Sequence, residues 1–138
     1  MNYSQDQIDA IDGICDVLGI STISYSHKIA VLTGSAGTGK TTVIGKIINK
    51  VENTNSMIPI ALCASTHRAA HVLNDTVSNG NLFMKKEVTT AHKLFKLRPN
   101  VSSSGQELIT ASGNCKIKPG SLVIIDEASM IGNSFLKA

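Results

Sequence analysis

Tryptophan is missing from the 138 residues, and only three phenylalanines and two tyrosines occur. A core built from this chain must therefore be mainly aliphatic. No run of about 18 apolar residues is present, so no membrane-spanning helix is expected. The N-terminus begins Met1-Asn2-Tyr3-Ser4-Gln5-Asp6, without the basic region and apolar core of a secretory signal. Cys15, Cys63 and Cys115 stand alone, with no C-x-x-C pair. That count fits reduced thiols and speaks against a disulfide framework. Cys15 and Cys63 read as core residues. These absences point to a cytoplasmic protein without a structural metal.

What is present is balanced. The chain is 42% hydrophobic and 17% charged, with a net charge of +3, as suits a single globular domain. The charge is uneven. Residues 1–20 carry Asp6, Asp9, Asp12 and Asp16 and no lysine or arginine. Residues 81–100 carry Lys85, Lys86, Lys93, Lys96 and Arg98 against Glu87. Such a cluster can pair with a phosphate backbone, or it can be an ordinary solvated face.

The chain opens with Ser4-Gln5-Asp6-Gln7, a capping box ahead of an apolar pattern at Ile8, Ile11, Ile14, Cys15 and Leu18. Gly19 suits the end of that helix. Gln7 has two readings. Its amide can reach back to the helix start, or it can donate to and accept from an adenine edge. Residues 20–28 read as a polar connector.

The most informative stretch is Gly34-Ser35-Ala36-Gly37-Thr38-Gly39-Lys40-Thr41-Thr42. It follows the pattern G-x-x-x-x-G-K-T of a phosphate-binding loop. The apolar run Ile29–Thr33 before it predicts a strand, and the apolar spacing from Thr42 to Val51 predicts a helix. Glycines turn the backbone so that several N–H groups face one point, and the helix N-terminus adds partial positive charge. Lys40 would reach the β- and γ-phosphates, and Thr41 would offer its hydroxyl to Mg²⁺.

Ile58–Ala64 predicts a buried strand, with Pro59 near its start. Ser65-Thr66 reads as a cap, followed by a helix from His67 to about Val77. His67 and His71 have the spacing of a zinc pair, but Arg68 stands where a zincin has glutamate, and no third ligand is apparent. Val88–Leu97 predicts a short capped helix ended by Pro99. Residues 100–120 are rich in Ser, Gly, Asn and Lys, and Val101-Ser102-Ser103-Ser104-Gly105 reads as a flexible loop or hairpin tip.

Ser121–Met130 is the second informative stretch. Its apolar run Leu122-Val123-Ile124-Ile125 ends in Asp126-Glu127. A buried strand delivering two acids at its C-terminal end would set them beside the phosphate loop. Asp126 would hold Mg²⁺, and Glu127 would orient and deprotonate an attacking water. Alternating strands and helices predict an α/β fold with a parallel sheet.

Taken together, the chain resembles a superfamily 1 DNA helicase of the RecD/Dda type, from about Ser4 to its end. Gln7 matches that family's adenine-reading glutamine and Gly34–Thr42 its motif I. Ala64-Ser65-Thr66-His67-Arg68-Ala69-Ala70 resembles motif Ia, and Thr89–Phe95 the motif Ib region. Ile125–Met130 matches motif II. The resemblance implies a RecA-like P-loop domain, MgATP as cofactor, and hydrolysis coupled to 5′-to-3′ movement on single-stranded DNA. It also implies replication or recombination proteins as partners, in a bacterial or phage-infected cytosol. Thr66, His67, Thr90 and His92 fall on the DNA-facing surface.

The same resemblance makes residues 1–138 the N-terminal portion of a longer helicase, lacking motif III and the second RecA-like domain. Arg68 and Arg98 are the only arginines, and the resemblance puts both on the DNA side. In RecA-like sheets the strand after motif II lies between the phosphate-loop strand and the motif II strand, so the sheet here is expected to be incomplete. Two other functions fit the loop: a nucleotide-binding module without turnover, and another P-loop enzyme such as a small-molecule kinase. An incomplete sheet predicts that the isolated 138 residues unfold gradually. A sharp, cooperative thermal transition from a monomer would contradict it.

Overall fold

The computed structural model describes residues 3–19, 28–54, 57–79, 87–105, 107–115, 117–132 and 135. The connector at 20–27 and two lysines of the basic cluster, Lys85 and Lys86, lie outside them. The chain divides into two compact units, Met1–Pro59 and Ile60–Ala138.

The first unit holds two helices, α1 (Gln5–Leu18) and α2 (Lys40–Thr54), packed against each other. The expected capping box starts α1. Ser4 accepts from the Gln7 N–H through its hydroxyl, and the Gln7 side chain accepts from the Ser4 N–H. Gly19 ends the helix in the left-handed region, its N–H donating to the Asp16 and Cys15 carbonyls. Ile11 and Cys15 are buried while Asp6, Asp9, Asp12 and Asp16 face water. On α2 the buried residues are Val43, Ile44, Ile47, Ile48 and Val51, a single helical stripe. Lys50 of α2 pairs with Asp12 of α1 at 2.9 Å. Both side chains stay substantially exposed, so water screens the pair and it adds little to stability.

The strand expected at Ile29–Thr33 is not formed. Residues 28–35 have no regular secondary structure, and Ile29 and Val31 are 86% and 78% exposed. The run has the composition of a strand, but a strand exists only against a partner, and no ladder includes it among the described residues.

The second unit is a three-stranded parallel sheet with helices on it and a hairpin beside it. The strands are β1 (Ile60–Ala64), β2 (Val88–Thr90) and β5 (Leu122–Asp126), in the order β2-β1-β5. In β1, Leu62, Cys63 and Ala64 are at most 1% exposed, as befits a central parallel strand covered on both faces. The register sets Ala64 opposite Asp126 on one side and opposite Thr90 on the other. Helix α3 (His67–Asn79) connects β1 to β2 and packs on the sheet through Ala69 and Ala70. Leu73 and Val77 continue its buried face. Each such side chain contributes about 1.5–3 kcal/mol.

The helix expected over Val88–Leu97 is three elements. Val88–Thr90 is β2, Ala91–Leu94 is the single-turn helix α4, and Leu97 opens β3 (Leu97–Val101). A three-residue strand is too short to show a period of two, so its pairing with Leu62–Ala64 was invisible in the pattern. Thr90 is both the last strand residue and the N-cap of α4, its hydroxyl accepting from the Lys93 N–H at 3.3 Å. Pro99 does not end a helix. It lies in β3, which pairs antiparallel with β4 (Glu107–Ala111), and a two-stranded ribbon tolerates proline at its open edge. The turn at Ser102–Gly105 is the expected hairpin tip, closed by Gly105 N–H to Ser102 carbonyl at 2.9 Å. A small core joins Cys63 and Ala91 to Phe135, with Phe95 edge-on to Phe135 at 5.7 Å.

Burial pushes the Cys63 thiol from 9.0 up to about 11. Cys15 and Lys50 are also raised, by burial and by the Asp12 hydrogen bond respectively. Between pH 9 and 11 the unfolded chain gives up the Cys63 proton while the folded chain keeps it. Stability present at pH 8 is therefore expected to fall through that window. Denaturant unfolding at a series of pH values checks this, and Cys63→Ala should flatten the slope.

Candidate functional site

The phosphate loop belongs to the first unit and the carboxylate pair to the second. In the first unit, Gly34–Gly39 precedes Lys40, the first residue of the 15-residue helix α2. The opening N–H groups of a helix have no acceptor within it, and they carry the positive end of its dipole. Gly37 and Gly39 have φ values of 78° and 81°, a region that residues with a Cβ avoid. At Gly39 a Cβ would also stand 2.6 Å from the Gln7 amide nitrogen. The loop is folded on itself. Lys40 Nζ donates to the Gly34 and Ser35 carbonyls at 2.9 and 2.8 Å, and the Thr38 hydroxyl donates to the Ser35 carbonyl at 2.9 Å. A cation, a helix N-terminus and a backbone too tight for side chains converge there, and this donor set fits a polyphosphate.

Gln7 satisfies both ends of its amide. Its oxygen accepts from the Ser4 N–H at 3.1 Å, as the cap reading expects, and its nitrogen donates to the Thr38 carbonyl at 3.1 Å. The second bond links positions 31 residues apart and had no local signal in the sequence.

In the second unit, Asp126 is the last residue of β5 and Glu127 follows it in the turn. The Ser65 N–H donates to the Asp126 carbonyl at 3.3 Å, carrying the β1–β5 pairing one step past Ala64. Asp126 is half-buried and Glu127 exposed. The Glu127 N–H donates to Asp126 Oδ1 at 2.9 Å. Glu127 itself is left-handed, with φ 53° and ψ 38°, and a 3-10 turn over Ala128–Met130 follows it. A non-glycine residue held there costs about 1–2 kcal/mol. The strain turns the chain sharply at the strand end and points successive residues in different directions. Hard oxygen donors such as the Asp126 carboxylate and the Thr41 hydroxyl suit Mg²⁺.

The four residues assigned to the DNA side are differently placed. Thr66 and His67 are exposed at the start of α3, where Thr66, not Ser65, is the cap: its hydroxyl accepts from the Ala69 N–H at 3.2 Å. His92 is half-buried and meets the Phe135 ring edge-on at 5.1 Å. Thr90 is 8% exposed and caps α4. His71 pairs with Asp75 at 3.0 Å on the outer face of α3. Among the described residues no three His, Cys, Asp or Glu side chains gather as metal ligands, and no helix is long and apolar enough to cross a membrane. One polar atom escaped sequence reading. The Ser65 hydroxyl is buried and has no hydrogen-bond partner, directly beside the strand end that carries Asp126. The only signal for it was its position just past a buried parallel strand.

A glycine loop opening a helix, and an acidic pair ending a parallel strand, are the working parts of a P-loop nucleotide-binding domain. The chain belongs to the AAA domain family, which matches residues 20–138. Three curated relatives are similar to it over most of its length. An uncharacterised protein of Acanthamoeba polyphaga mimivirus is 34% identical over 121 residues, covering 80% of this chain and 24% of that protein. The RecBCD enzyme subunit RecD of Haemophilus influenzae is 28% identical over 117 residues, 78% of this chain and 18% of that subunit. The ATP-dependent RecD2 DNA helicase of Deinococcus radiodurans is 27% identical over 110 residues, 80% of this chain and 13% of that enzyme. The chain thus spans a quarter or less of these relatives, and two of the three carry RecD-type names.

Strain at Glu127 has a measurable consequence. Glu127→Gly should leave the free energy of unfolding unchanged or raise it by about 1 kcal/mol, whereas a β-branched Glu127→Val should lower it by about as much. Equilibrium denaturation of the two variants beside the parent checks this.

Proposed function

We propose that this chain is the N-terminal ATPase portion of a DNA helicase, binding MgATP and contacting single-stranded DNA. In the longer polypeptide, hydrolysis would drive movement along the strand. The observation that carries the reading is the glycine loop ending in Lys40 at the start of α2, with Lys40 Nζ already lying on the loop carbonyls. The RecD-type relatives support the DNA part of it.

In this reading the loop N–H groups and Lys40 hold the β- and γ-phosphates. To do so Lys40 exchanges two carbonyl partners for phosphate oxygens. Thr41 in the first unit and Asp126 in the second are each candidates to hold Mg²⁺, which would neutralise charge on the triphosphate. Glu127 orients the attacking water and accepts its proton. Gln7 is the candidate for the adenine edge. Thr66 and His67, exposed at the start of α3, lead the DNA-facing set, with Thr90 and His92 behind them. Contacts of this kind would go mainly to the backbone, so little sequence preference is expected.

Two features support the reading as a portion of a larger domain. β5 has β1 on one side and, among the described residues, no strand on the other. The strand-like run Ile29–Thr33 has no ladder among the described residues.

The test is nucleotide binding and hydrolysis with and without single-stranded DNA. DNA-stimulated hydrolysis is the expected result. Nucleotide binding without hydrolysis would favour a binding module, and transfer to a small acceptor would favour a kinase. Lys40→Ala removes charge-assisted hydrogen bonds, so ATP affinity should fall roughly ten- to hundredfold. Unchanged affinity would refute the site.

A further inference from the structure

We propose that Gln7 is a positioning residue for the phosphate loop, fixing the Thr38–Gly39 peptide so that the loop can accept phosphate. The role is independent of any contact with a nucleotide base. It rests on the nucleotide-site reading above and assigns that site a residue that sets its shape.

The peptide between Thr38 and Gly39 is planar and trans, so its carbonyl and its N–H point in opposite directions. Gln7 Nε2 holds the Thr38 carbonyl at 3.1 Å. The Gly39 N–H is thereby turned to the side away from α1. On its other flank the same turn is tied to Ser35, through the Thr38 hydroxyl at 2.9 Å and the Thr38 N–H at 3.5 Å. Gly39, at φ 81°, has the freedom to let this peptide rotate. Rotation would aim a carbonyl oxygen where an N–H now points, and an anion would meet a partial negative charge. The Gln7 bond opposes that rotation. The amide is itself held, because its oxygen is bonded to the Ser4 N–H in the capping box. A fixed α1 terminus therefore anchors the loop through one side chain. The contact is close: a Cβ at position 39 would come within 2.6 Å of the amide nitrogen.

The experiment is calorimetric titration with inorganic triphosphate, which has no base, and with ATP, both with Mg²⁺. Gln7→Met keeps the length of the side chain and, without adding charge, removes both amide bonds, the one to the Thr38 carbonyl and the one from the Ser4 N–H. Triphosphate affinity is expected to fall roughly two- to tenfold with the lost Thr38 bond, and ATP affinity by at least as much. A loss confined to ATP would make Gln7 a base reader and overturn the inference. So would unchanged affinity for both. Ser4→Ala separates the peptide lock from helix capping. It weakens the cap of α1 but leaves the Gln7–Thr38 bond, so thermal stability should drop while triphosphate affinity holds. An equal loss of triphosphate affinity in Ser4→Ala would overturn the inference. Lys40→Ala reports on the underlying reading: if it binds triphosphate as the unaltered chain does, or if the unaltered chain binds none, the nucleotide site itself is refuted.

Discussion

A parallel strand satisfies its backbone only through neighbours, and the second unit is arranged around the one strand that has two among the described residues. β1 pairs with β2 on one side and β5 on the other, and its last three residues are almost wholly buried. That double pairing brings three chemically useful segments to one level. Ala64 stands opposite both Thr90 and Asp126, so the caps of α3 and α4 and the acidic pair all emerge at the same sheet edge. The carboxyl edge of a parallel sheet is where such folds bind ligands, because helix N-termini and strand-end side chains gather there. Nothing in Asp126 or Thr66 alone makes a site. The ladder does.

The first unit solves a different problem. A loop rich in glycine is cheap to bend and costly to hold, since glycine loses the most conformational freedom on folding. This loop is held by its own side chains. Lys40 and Thr38 turn back onto the Gly34 and Ser35 carbonyls, and Gln7 ties the far side to α1. The result is a preshaped cradle whose cation is already over the backbone. On the proposed reading its lysine would change partners to take a phosphate, so the order of the free loop would come at some expense in affinity. Glu127 follows the same logic in reverse. A strained left-handed backbone persists there because β5 before it and the 3-10 turn after it fix both flanks.

Much of this was legible in the chain. The capping box at Ser4–Gln7, the stripe of α2, the glycine loop, and the runs that became β1 and β5 all use signals within a few residues of one another. Caps, helical periods and tight turns are local physics, and local physics is written in order along the sequence. The family follows from the same motifs, because their order and spacing are sequence properties.

What only the tertiary structure decided depends on partners far away in the chain. Ile29–Thr33 has a strand's composition but, among the described residues, no ladder, since composition cannot supply a neighbour. Val88–Thr90 became a strand because Leu62–Ala64 was there to receive it, although its own pattern favoured a helix. The Gln7–Thr38 bond crosses 31 positions, and the buried Ser65 hydroxyl lies where two distant strands end. The sequence by itself determined which groups could bind a polyphosphate and which carboxylates could serve it. Tertiary structure decided how those groups are held, because hydrogen-bond satisfaction between distant segments is a property of the fold as a whole.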